Sequence, residues 1–483
     1  MRVYEIGKRL SKIVDCRILW DNESRSLYSV DASSYSLKPS VIAFPKEESD
    51  VIKIIRFATR NRIQVTPRGA GTGLVGSALG KDIVLDMRYI NKIRVGHGYV
   101  EAGSGVFKGQ LDAKLEKRGR CLGPDPSIGP FCTVGGMIGT NASGIHSLRY
   151  GSIIDNLLEV RIITSSGKPI TLPAHNGISK KILKLTKPEV RNRFPNVSKN
   201  SCGYRIDKIN SKNDFQKIIA GSEGTLGVVI SAKLRTFRIP RNTMLIIISY
   251  KKLMQAVLDV PSIIELKPSA VELTDKNIVR HIKTKIPEGV GCMLFVEFDD
   301  NLARNKESIR GTISGRIIKI ITHPQMIKKW WDFRSSALSH SLRSISEKET
   351  MPTLIEDATV PVEKLPDLLE LIDKIALEYD LRLIIYGHAG NGNLHIRPVL
   401  KRKDKRIIQK IASEFFTGVV NMGGSITGEH GDGLARSEFV KLQYGNDIYS
   451  IFKQVKHIFD PANILNPGKI ISHKSSVTKN LKI

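Results

Sequence analysis

Two short blocks gather side chains able to hold a metal or move a proton. The first is His388-Ala389-Gly390-Asn391-Gly392-Asn393-Leu394-His395, where a Gly/Asn run separates two histidines. Such a run can reverse the chain and bring its flanking imidazoles together. The second is GSITGEHGDG over 424–433, which sets Glu429 and His430 among glycines. Three of the chain's eleven histidines fall in these blocks. Imidazoles with a carboxylate suit a divalent metal, and such N/O ligands do not choose between zinc, manganese and iron. The same residues also read as satisfied structural histidines or as metal-free acid–base groups, and Glu429 as a surface or core-edge carboxylate.

A different chemistry is written in glycines. Arg68-Gly69-Ala70-Gly71-Thr72-Gly73 exposes backbone N–H groups to which phosphate oxygens can come close, and Arg68 adds a charged donor. This suggests a pyrophosphate site. It is not the Rossmann GxGxxG opening a helix, nor the phosphate loop GxxxxGK[ST], and an ordinary strand–turn explains it equally well.

These blocks need elements to carry them. Residues 51–61 read as an amphipathic helix, 63–67 and 82–86 as strands, 99–103 as a third strand and 106–118 as a helix. Residues 123–151, GPDPSIGPFCTVGGMIGTNASGIHSLRYG, show no periodicity and read as loops lying against something apolar. A strand is expected over 157–164, and the sharp turn GSEGTLG at 221–227 leads into another. Beyond about residue 237, strands over 244–248 and 293–298 alternate with helices over 251–259 and 301–313. That alternation predicts an α/β or α+β second unit. The segment 381–386 reads as a buried strand, residue 396 onward as its neighbour, and 473–483 as a solvated, mobile tail.

The chain has 483 residues, enough for several cores. Lys and Arg number 75 against 47 Asp and Glu, a net charge of +28. That charge attracts acidic partners, nucleic acid or an anionic membrane surface without selecting one. No recognition helix or aromatic RNA-binding module accompanies it, which argues against nucleic acid and against a basic scaffolding protein. Five scattered cysteines form no CxxC pair, so neither a disulfide framework nor a built-in iron–sulfur relay is expected. With no apolar signal core or spanning stretch, the expectation is a cytoplasmic protein, free or peripheral at the inner face of the membrane.

PRGAGTG, PDPSIGPFCTVGGMIGTNASG, CGY and GSEGTLG occur in that order. Together they resemble the flavin-binding half of the vanillyl-alcohol oxidase superfamily. From about residue 41 to 470 the chain resembles its branch of FAD-linked D-lactate dehydrogenases, glycolate oxidase flavin subunits and D-2-hydroxyglutarate dehydrogenases. The resemblance implies an α+β protein with a vanillyl-alcohol-oxidase-type FAD-binding fold, an α/β substrate or cap domain, and a C-terminal segment returning to the flavin domain. The expected divisions are 1–237, 238–425, 426–470 and the basic tail 471–483.

It implies noncovalent FAD lined by Pro67, Arg68, Gly69, Ala70, Gly71, Thr72 and Gly73, since RGAGTG holds no histidine for covalent attachment. Pro124, Asp125 and Ser127 should approach the cofactor, and Thr133, Gly135, Gly136, Asn141, Ser143 and Gly144 should cradle pyrophosphate and flavin. Gly221, Glu223, Gly224, Thr225 and Leu226 should lie by the adenine half, and Asn466, in FDPANILNPGK, near the flavin ring.

HAGNGNLH and GEHGDG resemble the branch's two signatures, with Asn391 where an aspartate is usual. By that resemblance His388, His395 and Glu429 are ligands of a divalent metal, zinc or manganese first and iron next, and His430 is the catalytic base. Arg334, in Trp330-Trp331-Asp332-Phe333-Arg334, is implied as the grip on the substrate carboxylate. IEDATVP resembles the metal-dependent members, but Ile355 stands where a D-2-hydroxyglutarate-type enzyme often has lysine, which weakens recognition of a second carboxylate. The implied reaction is oxidation of a small 2-hydroxyacid, D-lactate before D-2-hydroxyglutarate or glycolate. Ether-lipid synthesis is a more distant alternative. Reduced FAD would need a quinone, cytochrome or electron-transfer protein as acceptor, and the sequence selects none of them. It also leaves open a homodimer or a separate iron–sulfur subunit.

Overall fold

Alternating apolar strands and amphipathic helices build three sheets in the computed structural model, which describes residues 3–174, 177–282, 287–343, 345–346, 349–353, 355–401, 404–472 and 477–482. The first sheet has the order Arg17–Leu19, Val41–Phe44, Ile83–Asp86, Val65–Arg68, the last three running parallel. The helix Glu48–Asn61 covers it, burying Val51, Ile54, Ile55, Phe57 and Ala58 on one face. That helix starts earlier than its apolar pattern suggests because Glu48 and Asp50 occupy its first turn, where acidic groups favour the helix N-terminus.

The second sheet is antiparallel and runs Ile93–Val95, Tyr99–Gly103, Val228–Arg238, Leu157–Ile163, Pro169–Leu172, with Arg120–Leu122 pairing to the far end of Val228–Arg238. The glycine-rich stretch 123–151 lies beside it and is not all loop, as its composition suggested. Val134–Thr140 is a helix whose N-cap Thr133 accepts from Gly136 N at 3.3 Å. It buries Val134, Met137 and Ile138 at helical spacing. Its glycines are there for close packing: a Cβ on Gly135 would stand 2.7 Å from Ser104 Cβ.

The third sheet is seven-stranded: Arg316–Ile321, Met244–Tyr250, Cys292–Phe298, Ala270–Asp275, Arg382–His388, Asn393–Val399, Ala358–Thr359. Every pairing in it is antiparallel, so the expected alternation of helix and strand is built on antiparallel neighbours. Its strand residues read as nearly continuous apolar runs because both faces are covered. Helices Leu253–Glu265 and Leu365–Glu378 join the main core, while Ile327 and Trp330 of Pro324–Ser335 pack with Leu245, Ile247 and Phe295.

After the helix Val440–Phe459 the chain returns to the first sheet, where Leu465 bridges Val65 and Asn466 N donates to Val65 O at 2.8 Å. Of the expected free tail 473–483, residues 473–476 and 483 lie outside the described residues, and 477–482 are not free. Residues 477–482 dock: Val477 is fully buried, the Tyr35 hydroxyl donates to Val477 O at 2.7 Å, and Lys482 N donates to Ser34 O at 2.8 Å. Two apolar residues, Val477 and Leu481, provide the anchoring that composition hid. Among the described residues, no helix is long and apolar enough to cross a membrane.

Candidate active site

The two signature blocks meet. His388 ends the strand Arg382–His388 and His395 lies in Asn393–Val399, joined by a tight turn. Gly392 makes that turn at φ 67, and a Cβ there would collide with the Val360 carbonyl. In the register Tyr386 faces His395 and His388 faces Asn393, so Tyr386, His388, His395 and Arg397 share one face of the hairpin. The ring centroids of His388 and His395 are 5.3 Å apart, and those of His395 and His430 are 5.1 Å apart in a parallel stack.

Glu429 is the hub. Its Oε1 lies 3.1 Å from His388 Nε2, 3.5 Å from His395 Nε2 and 3.6 Å from His430 Nε2. Behind the rings stand further carboxylates. Glu272 Oε1 is 2.5 Å from His388 Nδ1, Glu356 Oε1 is 2.8 Å from His430 Nδ1, and Glu356 Oε2 is 3.6 Å from His395 Nδ1. At His388 and His430 the carboxylates on the Nδ1 side place the proton there and leave the Nε2 lone pairs aimed at the hub, whereas His395 Nδ1 makes no hydrogen bond within the chain. Three inward Nε2 atoms around a carboxylate oxygen are a donor set that fits a divalent cation. Ligand atoms of Asp357, His395, Glu429 and His430 also lie within 4.8 Å of one another. Asp357, however, already accepts from Glu429 N, His430 N, Thr427 Oγ1 and Asn393 Nδ2, so its role is to shape the GEHGDG loop.

The charges are unusually concentrated for a buried place. Burial opposes ionisation of Glu429, but Lys199 and His388 outweigh it and hold its pKa well below the usual range. Glu356 is likewise held well below by Arg397 and His430 against its burial, and Glu272 is lowered by Arg334 and His388. Burial resists charging of His430, yet Asp357 and Glu356 raise its pKa to about 9. His388 is raised in the same way by Glu272.

Sequence reasoning missed several of these groups. Lys199 Nζ, fully buried, donates to Glu429 Oε2 at 3.0 Å, the oxygen that also accepts at 2.5 Å from Oγ of Ser143, a residue expected in the cofactor cradle. A single lysine among 75 basic residues carries no signal. Glu272, Glu356, Asp357 and Arg397 were also unassigned. Their hints were charge inside the apolar strands AVELTD and NLHIRPV and the resemblance of the IEDATVP segment.

One cavity runs from the glycine-rich loops to this cluster. Of the expected cofactor residues, Pro67, Arg68, Gly69, Ala70, Gly71, Thr72, Gly73, Ser127, Thr133, Gly135, Gly136, Ser143, Glu223 and Gly224 border it. Arg68 Nη1 and Ser104 Oγ, both buried, have no hydrogen-bond partner within the chain, as befits groups awaiting a polar ligand. Arg334, His395, Glu429 and His430 form the far wall.

The remaining expected residues stand behind it. Asp125 Oδ2 lies 2.5 Å from His146 Nδ1, and Asn141 Oδ1 accepts from Ile154 N at 2.9 Å. Thr225 Oγ1 donates to Ser222 O at 2.6 Å, and Gly144, Gly221, Pro124 and Leu226 also lie off the cavity. Glu223 borders the cavity but turns its carboxylate to Asp432 N and Gly433 N, at 2.6 and 3.0 Å, and so braces the GEHGDG loop. Asn466, expected at the flavin ring, is fully buried. Its amide accepts from Thr66 Oγ1 and donates to Ser77 O and Glu223 O, which ties the returning chain to the cofactor loops.

Arg334 borders the cavity 2% exposed, with Nη2 2.5 Å from Glu272 Oε2 and Nε without a hydrogen-bond partner. His388 is buried behind the cavity wall, whereas the His430 side chain, 18% exposed, is the most open of the three imidazoles.

Comparison with known proteins agrees with this layout. The FAD binding domain matches residues 39–173, and the C-terminal domain of FAD linked oxidases matches residues 239–470. The D-lactate dehydrogenase of Anaerostipes hadrus is 28% identical, over 96% of this chain and 97% of its own length. Glycolate oxidase subunit GlcD of Bacillus subtilis is 27% identical over 93% of each. The D-2-hydroxyglutarate dehydrogenase of Escherichia coli K12 is 29% identical over 92% of this chain, which spans only about half, 49%, of that relative. Among solved structures, alkyldihydroxyacetonephosphate synthase shares the fold, with a TM-score of 0.69 and 18% identity over 96% of this chain and 86% of its own.

Proposed function

The chain belongs to the FAD-linked oxidase family, and on that premise we propose that it oxidises a D-2-hydroxyacid, D-lactate in the first instance, to the corresponding 2-oxoacid. The observation that carries the reading is the convergence of three Nε2 atoms on Glu429 Oε1 at the end of a cavity walled by the cofactor loops. Near-equal length with the matching D-lactate dehydrogenase and glycolate oxidase subunit supports a small monoacid substrate.

FAD, held noncovalently by the glycine-rich loops, supplies the acceptor for the substrate's α-hydride when bound. RGAGTG offers no histidine for covalent attachment, and His146 of the glycine-rich stretch is engaged by Asp125 and Glu297. A divalent cation, zinc or manganese before iron, would be held by His388, His395 and Glu429 and would supply positive charge that acidifies the substrate hydroxyl.

The chain's own residues do the rest. Arg334 offers its free Nε to the substrate carboxylate, and Glu272 fixes the guanidinium plane. His430 takes the hydroxyl proton on Nε2 while Glu356 holds its Nδ1. Its openness to the cavity distinguishes it from His388 and His395. Against its burial, Asp357 and Glu356 raise its pKa to about 9 and so stabilise the imidazolium it becomes; a cation held at Glu429 would lower that pKa and leave the ring neutral before it takes the proton. Lys199 and Ser143 pin Glu429 Oε2 and leave Oε1 facing inward.

The test is anaerobic mixing of flavin-loaded protein with D- and L-lactate, glycolate and longer hydroxyacids. Bleaching of the flavin by a D-acid supports the reading. A flavin-loaded preparation that no hydroxyacid reduces contradicts it.

A further inference from the structure

We propose that the arginine-lined cleft at the outer end of the second sheet is a binding site for a small polyphosphate, apart from the cofactor cavity and independent of the hydroxyacid reading. Arg118, Arg120, Arg238 and Arg241 line this cleft together with His97, its volume is about 600 Å³, and no carboxylate lines it.

Arg120 and Arg238 stand directly opposite each other where Arg120–Leu122 pairs with Val228–Arg238. Like charges so placed destabilise a strand pair. Among the described residues, none of the four arginines has a carboxylate partner to offset that cost. Arg118 Nη1 donates to Val95 O at 3.2 Å. Arg120 donates to Thr236 Oγ1 from Nε at 2.7 Å and to Thr236 O from Nη2 at 2.5 Å. These neutral acceptors fix two guanidinium groups in place without cancelling their charge. The walls are fixed as well: Gly98 O accepts from Thr236 N and Gly119 O from Ile239 N, each at 3.0 Å. A concave, preorganised set of cationic donors with no anion of its own is the form of an anion site.

Charge and size select the ligand class. Guanidinium forks bind phosphate oxygens bidentately. A single carboxylate leaves most of the positive charge unmatched, whereas a di- or triphosphate offsets it. The volume of about 600 Å³ falls within the range of small-molecule sites, roughly 300–1,000 Å³. A lipid surface or a nucleic-acid duplex would be met by an extended basic face rather than a cleft. Nor is the cleft an entry to the flavin. From Val229, which borders the cofactor cavity, to Arg238 the strand runs about 30 Å.

The experiment is equilibrium dialysis of pyrophosphate, tripolyphosphate and ATP against flavin-loaded protein, whose own pyrophosphate cradle is then filled, in about 0.15 M chloride to screen diffuse attraction. The double variant Arg238→Gln, Arg241→Gln, at exposed positions, is compared with Arg304→Gln, Arg310→Gln, an equal loss of charge at exposed positions of the helix Leu302–Thr312. The expected result is saturable binding, weakened roughly tenfold or more in the first variant and less than about twofold in the second. Both variants keep the candidate metal ligands, so capture of metal by phosphate is common to them and drops out. Tighter binding of ATP than of tripolyphosphate makes the ligand a nucleotide, and equal binding makes it a free polyphosphate; either supports the site. Absence of saturable binding by the unaltered protein overturns the proposal whatever the variants do, and so does equal weakening in the two variants. Retention on phosphatidylglycerol vesicles or duplex DNA that depends on Arg238 and Arg241, without saturable uptake of any of the three anions, overturns it as well.

Discussion

The cofactor cradle and the histidine centre are walls of one cavity built on opposite principles. The cradle is made of backbone: Gly69, Gly71, Gly135 and Gly136 line the cavity, and a Cβ on any of them would meet Thr133, Arg68 or Ser104. The histidine centre is made of side chains from five separate stretches, with Lys199, Glu272, Glu356, His388, His395, Glu429 and His430 holding one another by charge. A backbone wall is injured by adding atoms, and an ionic wall by removing them. Buried ion pairs punish the loss of one partner because the other is left uncompensated.

That contrast sets the order of expected effects. The largest belong to the hub. Glu429→Gln, His388→Ala and His395→Ala should each abolish stable metal retention and flavin reduction, checked by metal analysis after equal purification. Unchanged occupancy in both histidine variants would remove them from the ligand set. His430→Asn comes next: it should keep FAD and metal yet slow flavin reduction roughly 10²- to 10⁴-fold, the usual scale of a lost proton acceptor. Rapid mixing reads it directly, and normal reduction across the working pH range contradicts the assignment.

The outer carboxylates should matter less. Glu272→Gln should weaken metal affinity roughly 10- to 100-fold, as outer-shell losses do, measured by competition with a chelating dye. In the cradle the sign of the damage reverses. Gly135→Ala should cost about 1–3 kcal/mol of stability, because the new methyl meets Ser104 Cβ at 2.7 Å, and it should loosen FAD without touching the metal. Thermal unfolding and flavin retention would show it.

The smallest effect tests the seam between the walls. His146, in the glycine-rich stretch, lies 2.5 Å from Asp125 Oδ2 and 3.0 Å from Glu297 Oε1 of the third sheet. Burial opposes its charge, but the two carboxylates hold its pKa well above the ordinary value. A folded-state pKa raised in this way contributes stability that is fully present below the unfolded value of about 6.5 and is lost as pH rises through the folded one. His146→Gln should therefore lower Tm most at or below that pH and less toward alkaline pH. An equal loss at all pH values would show that the imidazole acts by shape alone.

The same contrast explains what the sequence made legible. Glycine runs and the two signature blocks are local, so RGAGTG, HAGNGNLH and GEHGDG could be read where they stand. The turn at Gly392 and the pairing of His388 with His395 followed from eight consecutive residues. The groups that complete the centre are not local. Lys199 lies 230 positions before Glu429, and Glu272 lies 116 before His388. Only the antiparallel order of the third sheet brings Ala270–Asp275 beside Arg382–His388. Asn466 shows the same division: its motif was legible, but that its amide joins Thr66, Ser77 and Glu223 was not. The helix Val134–Thr140 escaped because glycines that normally break helices are here what lets one pack.

The central claim is that the cofactor cavity and the histidine centre work as one oxidising site. Its most direct test is anaerobic flavin reduction by D-lactate in one flavin-loaded preparation, as purified, after metal stripping, and after restoring zinc or manganese. The account predicts fast bleaching as purified, near-complete loss on stripping with FAD retained, and recovery on restoration. Equal bleaching rates before and after stripping would contradict it.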